Sequence, residues 1–181
     1  VGNSTLRQRG VFTIELALVT LIIFSFITFT CELTERQCIH GLLQNLSFSG
    51  ASLIKERTQL YDSSPQITHK QADELYQLLS RSMSRSFAGF QESAFGMTLE
   101  QVTFLQKDIK NPVLTLYKKG KSCPKSQKHL VHEVSLFFLT ERGNPAPLYR
   151  VSLCYIKSDN TFLSNLMSAH RLSSNAIMVG R

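Results

Sequence analysis

The strongest constraint on this chain lies near its N-terminus. Val11 to Thr30 (VFTIELALVTLIIFSFITFT) form twenty consecutive residues with a single charge, Glu15. As a helix, such a run rises ~30 Å, the thickness of a bilayer's hydrocarbon core. Arg7 and Arg9 stand just before it. Basic residues at that end predict a cytoplasmic N-terminus and export of everything after Thr30. A cleavable secretory signal has an apolar core of only ~7–15 residues and closes on a small-residue A-x-A site. Phe29, Thr30, Cys31 and Glu32 offer no such site, so the run reads as a retained anchor.

Glu15 is the anomaly in that run. A carboxylate inside a membrane span costs a few kcal/mol on insertion scales, and it points to function by default. The plain alternative is that Glu15, one turn in, snorkels to the headgroups. Its neighbours favour the functional reading. Arg7 and Arg9 precede Gly10, four residues follow, then Glu15, then unbroken apolar helix. This arrangement is the pattern read by a prepilin peptidase, which would cut after Gly10 and leave Val11 as a new N-terminus. Cutting creates a charged α-amino group at the end of a buried helix. A subunit alongside can neutralise that amine with its own Glu15 carboxylate. Removing either charge would strand the other, at a cost of ~3–5 kcal/mol.

The stretch RGVFTIELALV resembles the processing site of type IV prepilin-like proteins. It is most similar to the TadE/TadF-type pseudopilins of tight-adherence (Flp) pilus systems, whose pattern runs approximately RG-x-x-x-(V/I)-E-(F/L)-A-L-V. The size of the exported part and the closing NAIMVGR favour TadF over the shorter TadE. Type II secretion and type IV pseudopilins share the glycine and glutamate, but a Met-Ile-Val-rich run generally follows where this chain has Leu16-Ala17-Leu18-Val19. Many relatives carry a proline a few residues past the glutamate, where this chain has Thr20 and Leu21. The resemblance implies a bacterial inner-membrane protein that crosses the bilayer once. Residues 1–10 would be a leader, 11–30 the transmembrane helix and 31–181 a periplasmic α+β domain. It also implies a minor, non-enzymatic subunit needed to assemble a tight-adherence pilus. Its partners would be the prepilin peptidase, TadE-like and major Flp pilin subunits, an inner-membrane assembly platform and membrane lipid. The competing reading from another class is an uncleaved single-pass sensor or binding protein.

Beyond residue 30 the chain holds about 150 residues, enough for one domain. Formal charge is +7, and losing Arg7 and Arg9 with the leader would leave +5. An exported domain meets oxidising conditions, in which disulfides persist. Cys31 and Cys38 lie two helical turns apart, ~10 Å, which is too far for a bridge within one helix. The internal pair favoured is Cys123 with Cys154, tying a loop to a strand, although spacing alone does not fix connectivity.

Helical periodicity continues from Glu32 to Tyr61 through Leu33, Cys38, Leu42, Leu46, Leu53 and Ile54, with a bend expected near Gly50. Asp62 to Pro65 read as a turn. A second helix starts at a Thr68–Gln71 capping box, buries Ala72, Leu75, Leu79 and Met83, and ends near Phe87. Strands are expected over Met97–Leu105, Val113–Tyr117, Leu130–Thr140 and Leu148–Ile156, the last two joined by a hairpin loop over Glu141–Pro147. A short helix over Asn160–His170 and a short strand over Ala176–Val179 complete the reading. Two helices followed by an antiparallel meander of about four strands make an α+β layout, compatible with the pilin-like plan of a long helix on a sheet.

Catalytic motifs are not evident. Ser49 lacks the glycine and preceding strand of a nucleophile elbow. His129, His132, Glu133 and Cys123 match no usual zinc spacing. Glu133 and Glu141 imply no cleft, and no cofactor is expected. Lys118, Lys119, Lys121, Lys125 and Lys128 crowd one loop, but no aromatic interleaves them as single-strand binders require, so a solvated loop outweighs nucleic-acid or lipid binding.

Overall fold

The computed structural model describes residues 4–60, 66–104, 112–123, 130, 145–156 and 171–180. The chain divides into two compact units, Val1–Cys38 and Ile39–Arg181. Helix α1 spans Ser4–Leu60, and helix α2 spans His69–Ser86. Among the described residues four strands follow: β1 (Phe95–Phe104), β2 (Pro112–Gly120), β3 (Leu148–Ile156) and β4 (Arg171–Val179). They form one antiparallel sheet in the order β2-β1-β3-β4, so the class is α+β in the pilin-like arrangement. A meander would keep neighbours in chain order; instead β1 sits between β2 and β3 and becomes a central strand. The expected strand over Leu130–Thr140 lies outside the described residues apart from Leu130. The turn at 62–65, the helix over 160–170 and the hairpin loop before Pro145 lie outside them as well.

In the second unit the sheet carries α1 and α2 on one face. Phe95, Met97 and Leu99 of β1 share that face with Tyr149, Val151, Leu153 and Tyr155 of β3. From α1 come Ile39, Leu43, Ala51 and Ile54, and from α2 come Ala72, Leu75, Leu79 and Met83. The α2 face is the one its periodicity predicts. Gln71 Oε1 accepts the Thr68 amide at 2.8 Å, the return half of the expected capping box.

The α1 face differs from the expected stripe. Leu33, Cys38 and Leu53 are exposed and Leu42 and Leu46 only partly buried, while the expected Ile54 is buried together with Ile39, Leu43, Ser47, Gly50 and Ala51. The helix also continues through Gly41 and Gly50 without interruption. Around Gly50 the buried face favours small residues. A Cβ on Gly50 would stand 3.2 Å from Leu79 Cδ1 and 3.5 Å from Val151 Cγ1, so the glycine marks where helix, helix and strand meet closely. Ser47 extends the contact, its hydroxyl lying 3.2 Å from that of Ser174 on β4.

The opposite sheet face is covered too. There Val102 and Leu148 pack with Leu130, all fully buried, flanked by Phe104, Leu114, Ile177 and Val179. Beside them Glu100 and Arg150, register partners on β1 and β3, form an ion pair at 3.1 Å with side chains only 5% and 3% exposed. Glu100 Oε2 also accepts the Leu130 amide at 3.3 Å, pinning that residue to the sheet. At the other end of this face, a Cβ on Gly96 would lie 1.9 Å from the Lys121 carbonyl oxygen. Backbone crosses directly over that position, and any side chain would force it off. Gly120, with φ of 71°, supplies the left-handed turn that starts the crossing.

Burying two charges is tolerable only while they are matched. Arg150→Leu should destabilise the detergent-solubilised chain by about 3–5 kcal/mol in denaturant unfolding, because Glu100 is left buried without its cation. The double variant Glu100→Leu/Arg150→Leu should cost markedly less than Arg150→Leu alone.

Candidate functional site

The N-terminal run is the feature that stands apart from the packed structure. From Phe12 to Thr30 every residue of α1 is exposed, including Phe12, Ile14, Leu21, Phe24 and Phe26, each above 60%. A window within Phe12–Glu56 reaches a mean hydropathy of 2.2 with none of it buried. An isolated soluble protein rarely shows a contiguous apolar surface on this scale, which marks a membrane or partner contact. Three of the hydroxyls inside the run satisfy themselves: Thr20, Thr28 and Thr30 each donate to a carbonyl of their own helix at 2.9 Å. Such internal bonding lets a hydroxyl sit in hydrocarbon without an unmet donor.

Glu15 lacks that provision. It is exposed on the apolar helix and has no hydrogen-bond or ion-pair partner among the described residues. Arg7, Arg9, Gly10 and Val11 all fall on α1, immediately N-terminal to this region. The helix therefore carries Gly10 and Val11 about one turn before Glu15.

Elsewhere the expected chemistry is resolved differently. Cys123 and Cys154 are joined by a disulfide closing a separation of 31 residues. It clamps the segment that crosses Gly96 onto β3. Within the lysine cluster, Lys119 pairs with Asp73 of α2 at 2.8 Å, both side chains being 43% exposed. Lys118 and Lys119 lie on β2, an edge strand, where charge deters pairing with a foreign strand. Lys125, Lys128, His129, His132 and Glu133 lie outside the described residues. Among the described residues no three His, Cys, Asp or Glu side chains gather as a metal site would require.

Several structural residues escaped the sequence reading. The Tyr117 hydroxyl donates to the Ile67 carbonyl, and Gln101 Oε1 accepts the Ile67 amide at 2.9 Å, together docking the start of α2 on the sheet. The Tyr155 hydroxyl, held between Phe87 and Phe90, donates to the Gly89 carbonyl at 3.1 Å and fixes the turn into β1. Burial, with a smaller contribution from Glu92, raises the pKa of the nearby Tyr76 hydroxyl above that of an ordinary phenol. The signal for these was present only as polar or aromatic residues at inward strand positions. An open groove of about 650 Å³ beside them is lined by Arg81, Arg85, Ser84, Phe90 and Glu92.

A bare apolar helix that continues into an α+β unit of two helices and a four-stranded antiparallel sheet defines a pilin-like protein. Comparison with family models then makes the assignment specific. The model for TadF, described as "Putative tight adherence pilin protein F", matches residues 4–181, and the chain belongs to that family. It is thus a pilus-related, pilin-like protein whose apolar N-terminal helix suits a single pass through a membrane. Searches of curated proteins and of solved structures returned no match.

The disulfide closes a long loop, so its loss should matter. Cys123→Ser/Cys154→Ser is expected to lower stability by about 2–4 kcal/mol, read as a fall in unfolding midpoint under non-reducing conditions.

Proposed function

We propose that this chain is a minor pilin-like subunit of the bacterial inner membrane, processed after Gly10 by a prepilin peptidase and needed to assemble a tight-adherence pilus. One observation carries the reading: Glu15 stands as an unpartnered acid on an exposed apolar helix, a short step beyond the Arg-Gly pattern. Family membership over residues 4–181 supports the pilus context.

On this reading the leader, residues 1–10, stays in the cytoplasm and is removed. Residues 11–30 anchor the mature chain, and residues 31–181 form the periplasmic unit. Gly10 presents the scissile bond because the absence of a side chain lets a protease approach the backbone closely. The new Val11 α-amino group is the cation that a neighbouring Glu15 neutralises. Each charge alone costs several kcal/mol in hydrocarbon, while together they cost far less, so stacking of subunits in register is favoured over other offsets. The reaction is performed on this chain, which supplies no catalytic residue of its own. The assembly partners are other pilin-like subunits, TadE-like and major Flp pilin, and an inner-membrane platform.

Two variants separate processing from assembly. N-terminal sequencing and intact mass of membrane-extracted protein should show a chain beginning at Val11, whereas Gly10→Ala should retain Arg7 and Arg9. Glu15→Ala should still be cut but should abolish or strongly reduce surface fibres. A wild-type protein that keeps residues 1–10 in fibre-producing cells would exclude the reading.

A further inference from the structure

Two cysteines have no role in the structure as described. Cys31 and Cys38 are free and exposed, while Cys123 and Cys154 are joined. The free pair lies seven residues apart on α1, within the first unit, and therefore on a single stripe of the helix. That stripe runs Phe24, Ile27, Cys31, Thr34 and Cys38, every one exposed. It carries no charge. Thr34 donates its hydroxyl to the Thr30 carbonyl at 2.8 Å, so it too places no unmet donor on the seam. Two turns of helix hold the thiols ~10 Å apart, beyond the reach of a bridge within one chain.

We propose that this stripe is a cross-linking seam between two copies of the chain, closed by an intermolecular disulfide at Cys38 and reinforced at Cys31. The inference rests on the reading above, that residues after Thr30 face an oxidising compartment. A second copy is the occupant the geometry selects. In the membrane, before subunits take up the staggered Glu15–Val11 contact, identical anchors set two chains parallel and at one depth, so each thiol meets its own counterpart. A partner of different sequence would have no reason to carry a thiol at the same height. Closely packed helices have axes ~8–10 Å apart and Cα atoms at a radius of ~2.3 Å, placing facing Cα atoms roughly 3.5–5.5 Å apart. That range overlaps the ~4.4–6.8 Å of real disulfides. A seven-residue repeat also keeps both positions on the seam of a left-handed helix pair.

The chemistry balances by thiol–disulfide exchange. The Cys38 thiolate attacks the disulfide of an exported thiol–disulfide oxidoreductase, forming a mixed disulfide and releasing one of its thiolates. Cys38 of the second copy then attacks the first Cys38 Sγ and expels the other thiolate. Two protons leave the cysteines, and two electrons reduce the oxidoreductase to its dithiol.

The test co-expresses two differently tagged full-length copies in cells that make the pilus, with free thiols blocked by N-ethylmaleimide before lysis. Non-reducing gels should show a species of twice the monomer mass that contains both tags and collapses on reduction. Cys38→Ser should diminish it several-fold, and Cys31→Ser/Cys38→Ser should abolish it while leaving the Cys123–Cys154 bond protected from alkylation. Monomer with Cys31 and Cys38 alkylated but Cys123 and Cys154 protected would overturn the seam and leave the topology standing. Alkylation of all four cysteines would overturn both. A cross-linked species lacking the second tag at every mixing ratio would identify a different partner and overturn the choice of a second copy.

Discussion

The feature on which the rest depends is an apolar helix surface that the chain itself never covers. Phe12 to Thr30 expose their side chains without exception, and the threonines among them turn their hydroxyls back onto the helix. Hydrocarbon satisfies such a surface everywhere except at Glu15. On the proposed reading, that one uncompensated carboxylate would convert a generic anchor into one that favours a particular neighbour at a particular offset, and a pilin-like protein is a setting in which such neighbours would be supplied. The magnitude is adequate: a few kcal/mol per misregistered charge outweighs the near-degenerate van der Waals packing of apolar helices in lipid.

The second unit solves a different problem, that of holding a small sheet rigid beside two helices. Making β1 central rather than an edge places it under cover on both faces, with helices on one side and Lys121, Cys123 and Leu130 on the other. Three unlike devices fix that second cover. Gly96 removes the side chain that would hold it off, the Cys123–Cys154 bond clamps it covalently, and Glu100 holds it through the Leu130 amide while pairing with Arg150. Strands β2 and β4 stay half exposed and carry Lys118, Lys119 and Arg171, charges that suit strands with no outer neighbour among the described residues.

Much of this was legible in the residues, and the failures share a physical pattern. The α2 face and β3 were readable because large apolar residues recur at the period of the element. The buried face of α1 was misplaced in part because Ser47, Gly50 and Ala51 contribute closeness rather than bulk, although the bulky Ile39 and Leu43 were passed over too. Strand β4 runs Arg171–Val179 although only Ala176–Val179 reads as strand. Its first half, Arg171-Leu172-Ser173-Ser174-Asn175, is extended through ladder pairing with β3 rather than by local preference. Strand order was likewise beyond the sequence, since local patterns give elements and not which of them become neighbours. The Arg-Gly and Glu15 pattern was fully visible, but the partner proposed for Glu15 lies on another molecule, which no single chain can show.

The central claim, that Glu15 of one subunit meets the Val11 amine of another, can be read directly by zero-length cross-linking. Membranes and sheared fibres would be treated with a lipid-soluble carbodiimide, which joins a carboxylate only to an amine already in contact with it. Peptide mass spectrometry should then find an amide between Glu15 and the Val11 α-amino group, linking differently isotope-labelled chains when two labelled populations are mixed before assembly. Glu15 recovered only as its carbodiimide adduct, with Val11 unmodified in assembled fibres, would contradict the account.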